Sequence, residues 1–266
     1  MIRPRSLITL SLLLSSVFSA GAVKGISANL ASKKVFEVER AGASKKALPK
    51  GLAVASSLLL AFNSGFSNGA CLGGGVSSGA KKQAVSAVTG AWTTSAVGFA
   101  SGDMGAFKSN AKCIGSYLSG SAIAGFLNPN PTTFQMGENV PATFFIGAAL
   151  MYGASTLAGK DSTSLLPYLL ALAANGLCNS VTSVHTANLC RTAHFSGITS
   201  DIGTFLGQIL GGNNANLFKL KVFAGLAASF WVGGAVSYQV AQSMASSSLM
   251  VCAILYALTG LSSMLY

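Results

Sequence analysis

Ile198-Thr199-Ser200-Asp201-Ile202-Gly203-Thr204-Phe205-Leu206-Gly207-Gln208-Ile209-Leu210 is an apolar run broken by one acid. The chain has only six acids. Glu37 and Glu39 lie in a polar N-terminal stretch, and Asp103, Glu138 and Asp161 lie in short connections between apolar runs. Asp201 alone falls inside one. A carboxylate in such a run is costly unless it is paired or faces a cavity. The run therefore reads as a helix of a membrane bundle that carries a functional or structural polar group.

Composition points the same way. The chain has 266 residues, of which 51% are hydrophobic and 9% charged, and its mean hydropathy is +0.57. Soluble domains carry roughly 25% charged residues, so this chain lacks the charge to dress a water-facing surface. Abundant small residues, including 31 Gly, suit close helix packing in a bilayer. The expected fold is an all-α polytopic membrane bundle.

Beyond Lys50 the chain divides into eight apolar segments: residues 51–72, 84–101, 111–127, 140–158, 165–184, 193–210, 222–240 and 249–265. Charges, prolines or Asn separate them, most sharply Asn128-Pro129-Asn130-Pro131. A bilayer crossing takes about 20 residues. The second and sixth segments are the shortest and most polar; if both are re-entrant, six or seven spans remain. With all eight crossing, Lys45, Lys46, Lys50, Lys108, Lys112, Lys160, Lys219 and Lys221 share one side. Lys81, Lys82 and Arg191 take the other, a positive-inside bias that favours eight spans.

The N-terminal fifth stands apart. Arg3 and Arg5 precede a short apolar stretch, residues 7–17, and small residues follow up to Ala22, the pattern of a cleaved secretory signal over 1–22. Residues 23–50 are polar and basic, like a transit segment or a linker. The two together resemble the bipartite targeting of algae with secondary plastids. They imply an integral membrane protein that enters through the secretory pathway, in such an organism to a plastid membrane. Most of the net charge of +11 lies in this fifth. Basic residues at segment ends orient helices rather than grip nucleic acid.

The membrane domain, 51–266, has two related halves, 51–159 and 164–266. Ser64-Gly65-Phe66-Ser67-Asn68 matches Asn175-Gly176-Leu177-Cys178-Asn179, and Val88-Thr89-Gly90 matches Phe195-Ser196-Gly197. Phe107-Lys108 and Lys112 match Phe218-Lys219 and Lys221. Duplicated halves are a recurrent transporter plan, with the site at their interface.

As one helix, the sixth segment would place Arg191, His194, Ile198 and Asp201 on a single stripe, with Gly197 and Thr199 beside it. His194 and Asp201 would then stand about 10 Å apart along the axis and could face one cavity or flank a solute. Histidine titrates near neutrality and an embedded carboxylate can shift toward that range, which suits proton relay. The same groups also serve as polar glue between helices. Asn68 and Asn179 are the matching amides across the interface. Gly203, Gly207 and Gly211 form a small-residue ridge suited to a neighbouring span or a second copy in a homo-oligomer.

Chemistry is otherwise sparse. There is no HExxH and no P-loop, and two histidines give little for a metal site. Ser196 and His194 point to different faces of a helix, which disfavours a serine hydrolase. The sequence thus calls for no enzyme, cofactor or metal. Five scattered cysteines without a CxxC read as packing groups.

The run Arg191-Thr192-Ala193-His194-Phe195-Ser196-Gly197-Ile198-Thr199-Ser200-Asp201-Ile202-Gly203, with Asn175-Gly176 and Asn179 before it, resembles the second half of the YoaK-like family. These are uncharacterised multi-spanning membrane proteins built around a domain of unknown function. The resemblance covers about residues 55–260. It implies a multi-pass protein and supplies no substrate. In the first half the family's His/Met-Thr-Gly-Asn pattern is replaced by Ala87-Val88-Thr89-Gly90-Ala91. The expected function is a proton-coupled transporter of a small solute or ion; the alternative is a membrane scaffold.

Overall fold

The computed structural model describes residues 46–74, 76, 82–158, 160 and 164–265. The signal segment and most of the 23–50 stretch lie outside the described residues. The end of that stretch is not a linker: Lys46–Ala47 forms strand β1, paired antiparallel with β2, Gln135–Met136, in the register Lys46↔Met136 and Ala47↔Gln135.

Eight α-helices follow: α1 Lys50–Leu72, α2 Thr89–Ser101, α3 Met104–Leu127, α4 Val140–Leu157, α5 Leu166–His185, α6 Phe195–Leu210, α7 Leu217–Met244 and α8 Leu249–Ser263. A 3₁₀ turn, Ala245–Ser248, joins the last two. Local chemistry sets the boundaries. Gly102, at φ 82°, ends α2 in the left-handed conformation that favours glycine. Asp103 then caps α3, its Oδ1 accepting the Ala106 N–H at 2.9 Å. That cap starts α3 seven residues ahead of the apolar run and carries Lys108 and Lys112 onto the helix. Proline in the first turn opens α4 and α5.

Among the described residues, two helices, α4 and α7, are long and apolar enough to cross a bilayer by length and composition. Serine, asparagine, glycine or lysine dilute α1, α3 and α5. The helices α2, α6 and α8 have 13, 16 and 15 residues, short of a full crossing. The expectation of eight spans becomes, in the structure, an all-α fold of eight helices.

The helices pack crosswise between the halves. α1 lies on α7, α3 on α5 and α4 on α8, with α2 on α3 and α6 on α7. Glycine permits the two tightest crossings. A Cβ on Gly65 would collide with the Phe230 carbonyl, and one on Gly233 with the Phe62 carbonyl. At the other crossing, a Cβ on Gly176 would strike the Tyr117 carbonyl and one on Gly120 the Ala173 carbonyl. Between α1 and α5, Ser64 Oγ donates to Asn175 Oδ1 at 3.2 Å, and Asn175 Nδ2 donates to Ser67 Oγ at 3.1 Å.

Polar side chains are buried alongside an apolar core that includes Leu60, Phe66, Tyr168 and Tyr256. Ser57, Asn63, Ser64, Ser67, Thr143, Asn175 and Ser237 are buried. Trp92, Phe99, Leu118, Phe126 and Trp231 are exposed, Phe126 at 84%. All five cysteines are buried thiols outside any disulfide.

Candidate functional site

The candidate site is built at the starts of the two short helices. The chain before α2 is held to α1 by Asn68, whose Oδ1 accepts the Val85 and Ser86 N–H groups at 2.9 and 3.3 Å. The chain before α6 is held to α5 by Asn179, whose Oδ1 accepts the Ala193 N–H at 3.1 Å. Each amide thus ties down a stretch of loop backbone and brings a helix N-terminus to the same central cavity.

That cavity measures about 390 Å³, within the range of small-molecule sites. Its twelve lining residues fall into six positional pairs: Asn68 with Asn179, Ser86 with Ala193, Ala87 with His194, Val88 with Phe195, Thr89 with Ser196, and Tyr117 with Phe230. The last pair is fixed by the glycine crossings, since Tyr117 and Phe230 each precede a crossing glycine, Gly120 or Gly233, by three residues. The Tyr117 phenol sits against the Asn179 side chain. Phe195 stacks on Phe230 with ring centroids 3.9 Å apart.

Three of the expected site residues, Asn68, Asn179 and His194, meet at this cavity. Arg191, Thr199 and Asp201 are not among its lining residues. The single helical stripe is corrected: α6 begins at Phe195, His194 occupies its N-cap position with φ −99° and ψ 57°, and Arg191 lies in the preceding loop. Asn179 pulls residue 193 toward α5, so the helix cannot extend back through it. Arg191 and His194 converge in another way. A Cβ on Gly197 would collide with the His194 ring and come within 3.4 Å of Arg191 Nη1. Gly197 is therefore a seat for these two side chains rather than a helix-packing glycine. Arg191 Nε is buried and has no hydrogen-bond partner among the described residues. Thr199 Oγ1 donates to its own helix, to the Phe195 carbonyl at 2.8 Å. Asp201 is half-buried on α6, about two turns beyond His194.

On the glycine ridge, Cβ atoms on Gly203 and Gly207 would meet nothing within 4 Å, so none of the described residues packs there. Gly211 is the C-cap of α6, its N–H bonded to the Gly207 carbonyl.

A second cavity, about 260 Å³, is apolar, walled by Leu48, Leu52, Leu60, Met136, Val140 and Phe144. Several of its polar groups serve the protein itself: Ser57 donates to the Ala53 carbonyl, Thr182 to Cys178 and Thr186 to Thr182, and His185 Nδ1 is 3.1 Å from the Gln135 carbonyl. It offers little to orient a polar solute.

Ser86, Ala87, Val88, Thr89, Tyr117, Phe195, Ser196 and Phe230 are cavity residues that the sequence reading did not single out as a site. Part of the signal was available: the Val88-Thr89-Gly90 match to Phe195-Ser196-Gly197 marks two of the pairs. Nothing in one dimension marks Tyr117 or Phe230.

The described residues thus form an all-α arrangement of eight helices with a cavity between the starts of two short ones. More specifically, the chain belongs to the family described as "Protein of unknown function (DUF1275)", whose model matches residues 56–262. No curated protein and no solved structure matches it.

Proposed function

We propose that this chain is a multi-pass membrane protein that binds a small solute or ion in the central cavity and carries it across the bilayer. The observation that carries the reading is the cavity's lining: six positional pairs, drawn from both halves, around the N-termini of two short helices. Short helices ending near mid-membrane, with their positive N-terminal ends toward a substrate, are a transporter device. The matched glycine crossings and the Ser64–Asn175 contact support two halves related by duplication. Exposed Trp92, Phe99, Phe126 and Trp231, with Ser, Thr and Asn among the buried residues, support a lipid surround. The likeness of residues 191–203 to the YoaK-like proteins belongs to this reading. So do entry through the secretory pathway and a plastid destination, for which the mature N-terminus is the measurement.

In this proposal the protein is neither an enzyme nor a nucleic-acid binder, and its partners are lipid, the solute and, on the open Gly203–Gly207 face, a second copy. Proton coupling rests on His194 alone, because Asp201 is not among the cavity residues. One observation favours a scaffold instead: both Asn oxygens are already bonded to backbone, as structural caps are.

The test is reconstitution of the full chain in liposomes with a panel of small metabolites. Transport requires that at least one solute raise the melting temperature and cross the bilayer, and that Asn179→Leu weaken both effects. A correctly inserted protein with no solute response leaves the scaffold.

A further inference from the structure

The two sides of the central cavity differ chemically, and the difference selects a solute. Both cavity amides have their oxygens committed, Asn68 to Val85 and Ser86 and Asn179 to Ala193. What each has left is its amide N–H₂, a donor. A hard cation is held by several oxygens, carboxylates above all, and the two amide oxygens here already face backbone N–H groups. No Asp or Glu lines the cavity; the remaining polar groups include the hydroxyls of Thr89, Tyr117 and Ser196 and the imidazole of His194. Arg191 adds positive charge nearby, since its Nη1 and the His194 ring both lie close to where a Cβ on Gly197 would stand. The wall therefore carries amide donors and two-way hydroxyls, no carboxylate, and a guanidinium beside it.

Three of these groups form one cluster: Tyr117 sits against Asn179, and the Ala193 N–H bond to Asn179 holds the adjacent His194 there. The positions paired with Tyr117 and His194 carry Phe230 and Ala87, and Phe195 packs tilted on Phe230. Asn68, Ser86 and Thr89 add further polar groups to the wall. The cavity thus holds a hydrogen-bonding cluster and an aromatic pair, in a volume suited to a small molecule.

Resting on the transport-site reading, we propose that the solute is a small organic monoanion, a carboxylate with a short apolar body. Asn179, Tyr117 and His194 receive the carboxylate, and the Phe195–Phe230 pair packs against the apolar part. A short-chain carboxylate fits this arrangement; an inorganic anion leaves the aromatic pair unused, and an ammonium ion finds no carboxylate to offset its charge and a guanidinium nearby.

The experiment uses the full chain in detergent, with butyrate as probe and butyramide, butylammonium and chloride as its neutral, cationic and inorganic counterparts. Binding is read by equilibrium dialysis and by melting temperature. Butyrate is expected to bind at least about tenfold more tightly than each of the other three, the scale of one charge-assisted hydrogen bond. Tyr117→Phe and His194→Ala should each weaken butyrate about tenfold. Tyr117→Phe removes one oxygen and installs the residue already present at position 230, so it tests the site without emptying it. Chloride bound as tightly as butyrate overturns the organic half of the proposal. Preference for butyramide or butylammonium, abolished by Tyr117→Phe, overturns the anion and keeps the site. Butyrate binding that neither substitution changes, or no binding by any probe, overturns the proposal and the site together.

Discussion

The Asn68 side and the Asn179 side of the cavity share one backbone plan and carry different chemistry. Each has an Asn that fastens the loop before a short helix, and each is crossed by a third-position helix at a glycine. One side then adds Tyr117 and His194, while the other has Phe230 and Ala87. Backbone capping and close helix approach are demands of folding and apply to both sides. The groups that face the cavity are free of that demand, and there the sides diverge. Shared features therefore mark what builds the cavity, and divergent ones mark what it recognises.

The harshest way to break this comparison is at the crossings. Gly65→Leu and Gly176→Leu each push a side chain into a backbone carbonyl. Both should cost about 3 kcal/mol or more and remove most folded protein, read as yield and melting temperature. If one is tolerated, the crossings are not equivalent. Next come the amides. Asn68→Leu and Asn179→Leu leave loop N–H groups without their acceptor and should each cost about 1–3 kcal/mol. Only Asn179→Leu should also weaken the solute strongly, because it sits beside Tyr117.

A finer test adds rather than removes. Phe230→Tyr gives the aromatic side the phenol of its counterpart. It should leave the folding stability within about 1 kcal/mol of the parent and reduce butyrate binding about threefold, by placing a hydroxyl where the apolar body packs. The smallest effects belong to α6 beyond the cavity. Asp201→Asn should leave butyrate binding unchanged and alter stability by no more than about 0.5 kcal/mol. A clear loss of binding in Asp201→Asn would move the site along α6 and undo the cavity assignment.

Much of the helix order was legible because Pro, Gly, Asn and charge punctuate the chain. The apolar runs 51–72, 140–158 and 165–184 match α1, α4 and α5 closely. The errors have local causes. α3 starts early because Asp103 caps it, and α7 starts five residues early, carrying Lys219 and Lys221 in its opening turns. A reading that ends helices at charges misses both. α6 starts late because the Asn179 side chain fastens residue 193. That bond joins residues 14 apart and is invisible to periodicity. For the same reason the Arg191–His194–Asp201 stripe dissolved, while Asn68 and Asn179 came together at the cavity. They were found by matching the halves, and position within a half is the quantity that the fold keeps.

The crossed packing also governs how the protein can be made. α1 leaves the ribosome first among the described helices, yet the partner against which its Gly65 fits is the seventh of them. Until α7 emerges, on the order of ten seconds later at ordinary synthesis rates, the small-residue face of α1 has no match within the chain. Each half holds one member of the other's tightest pair, so neither is a finished folding unit.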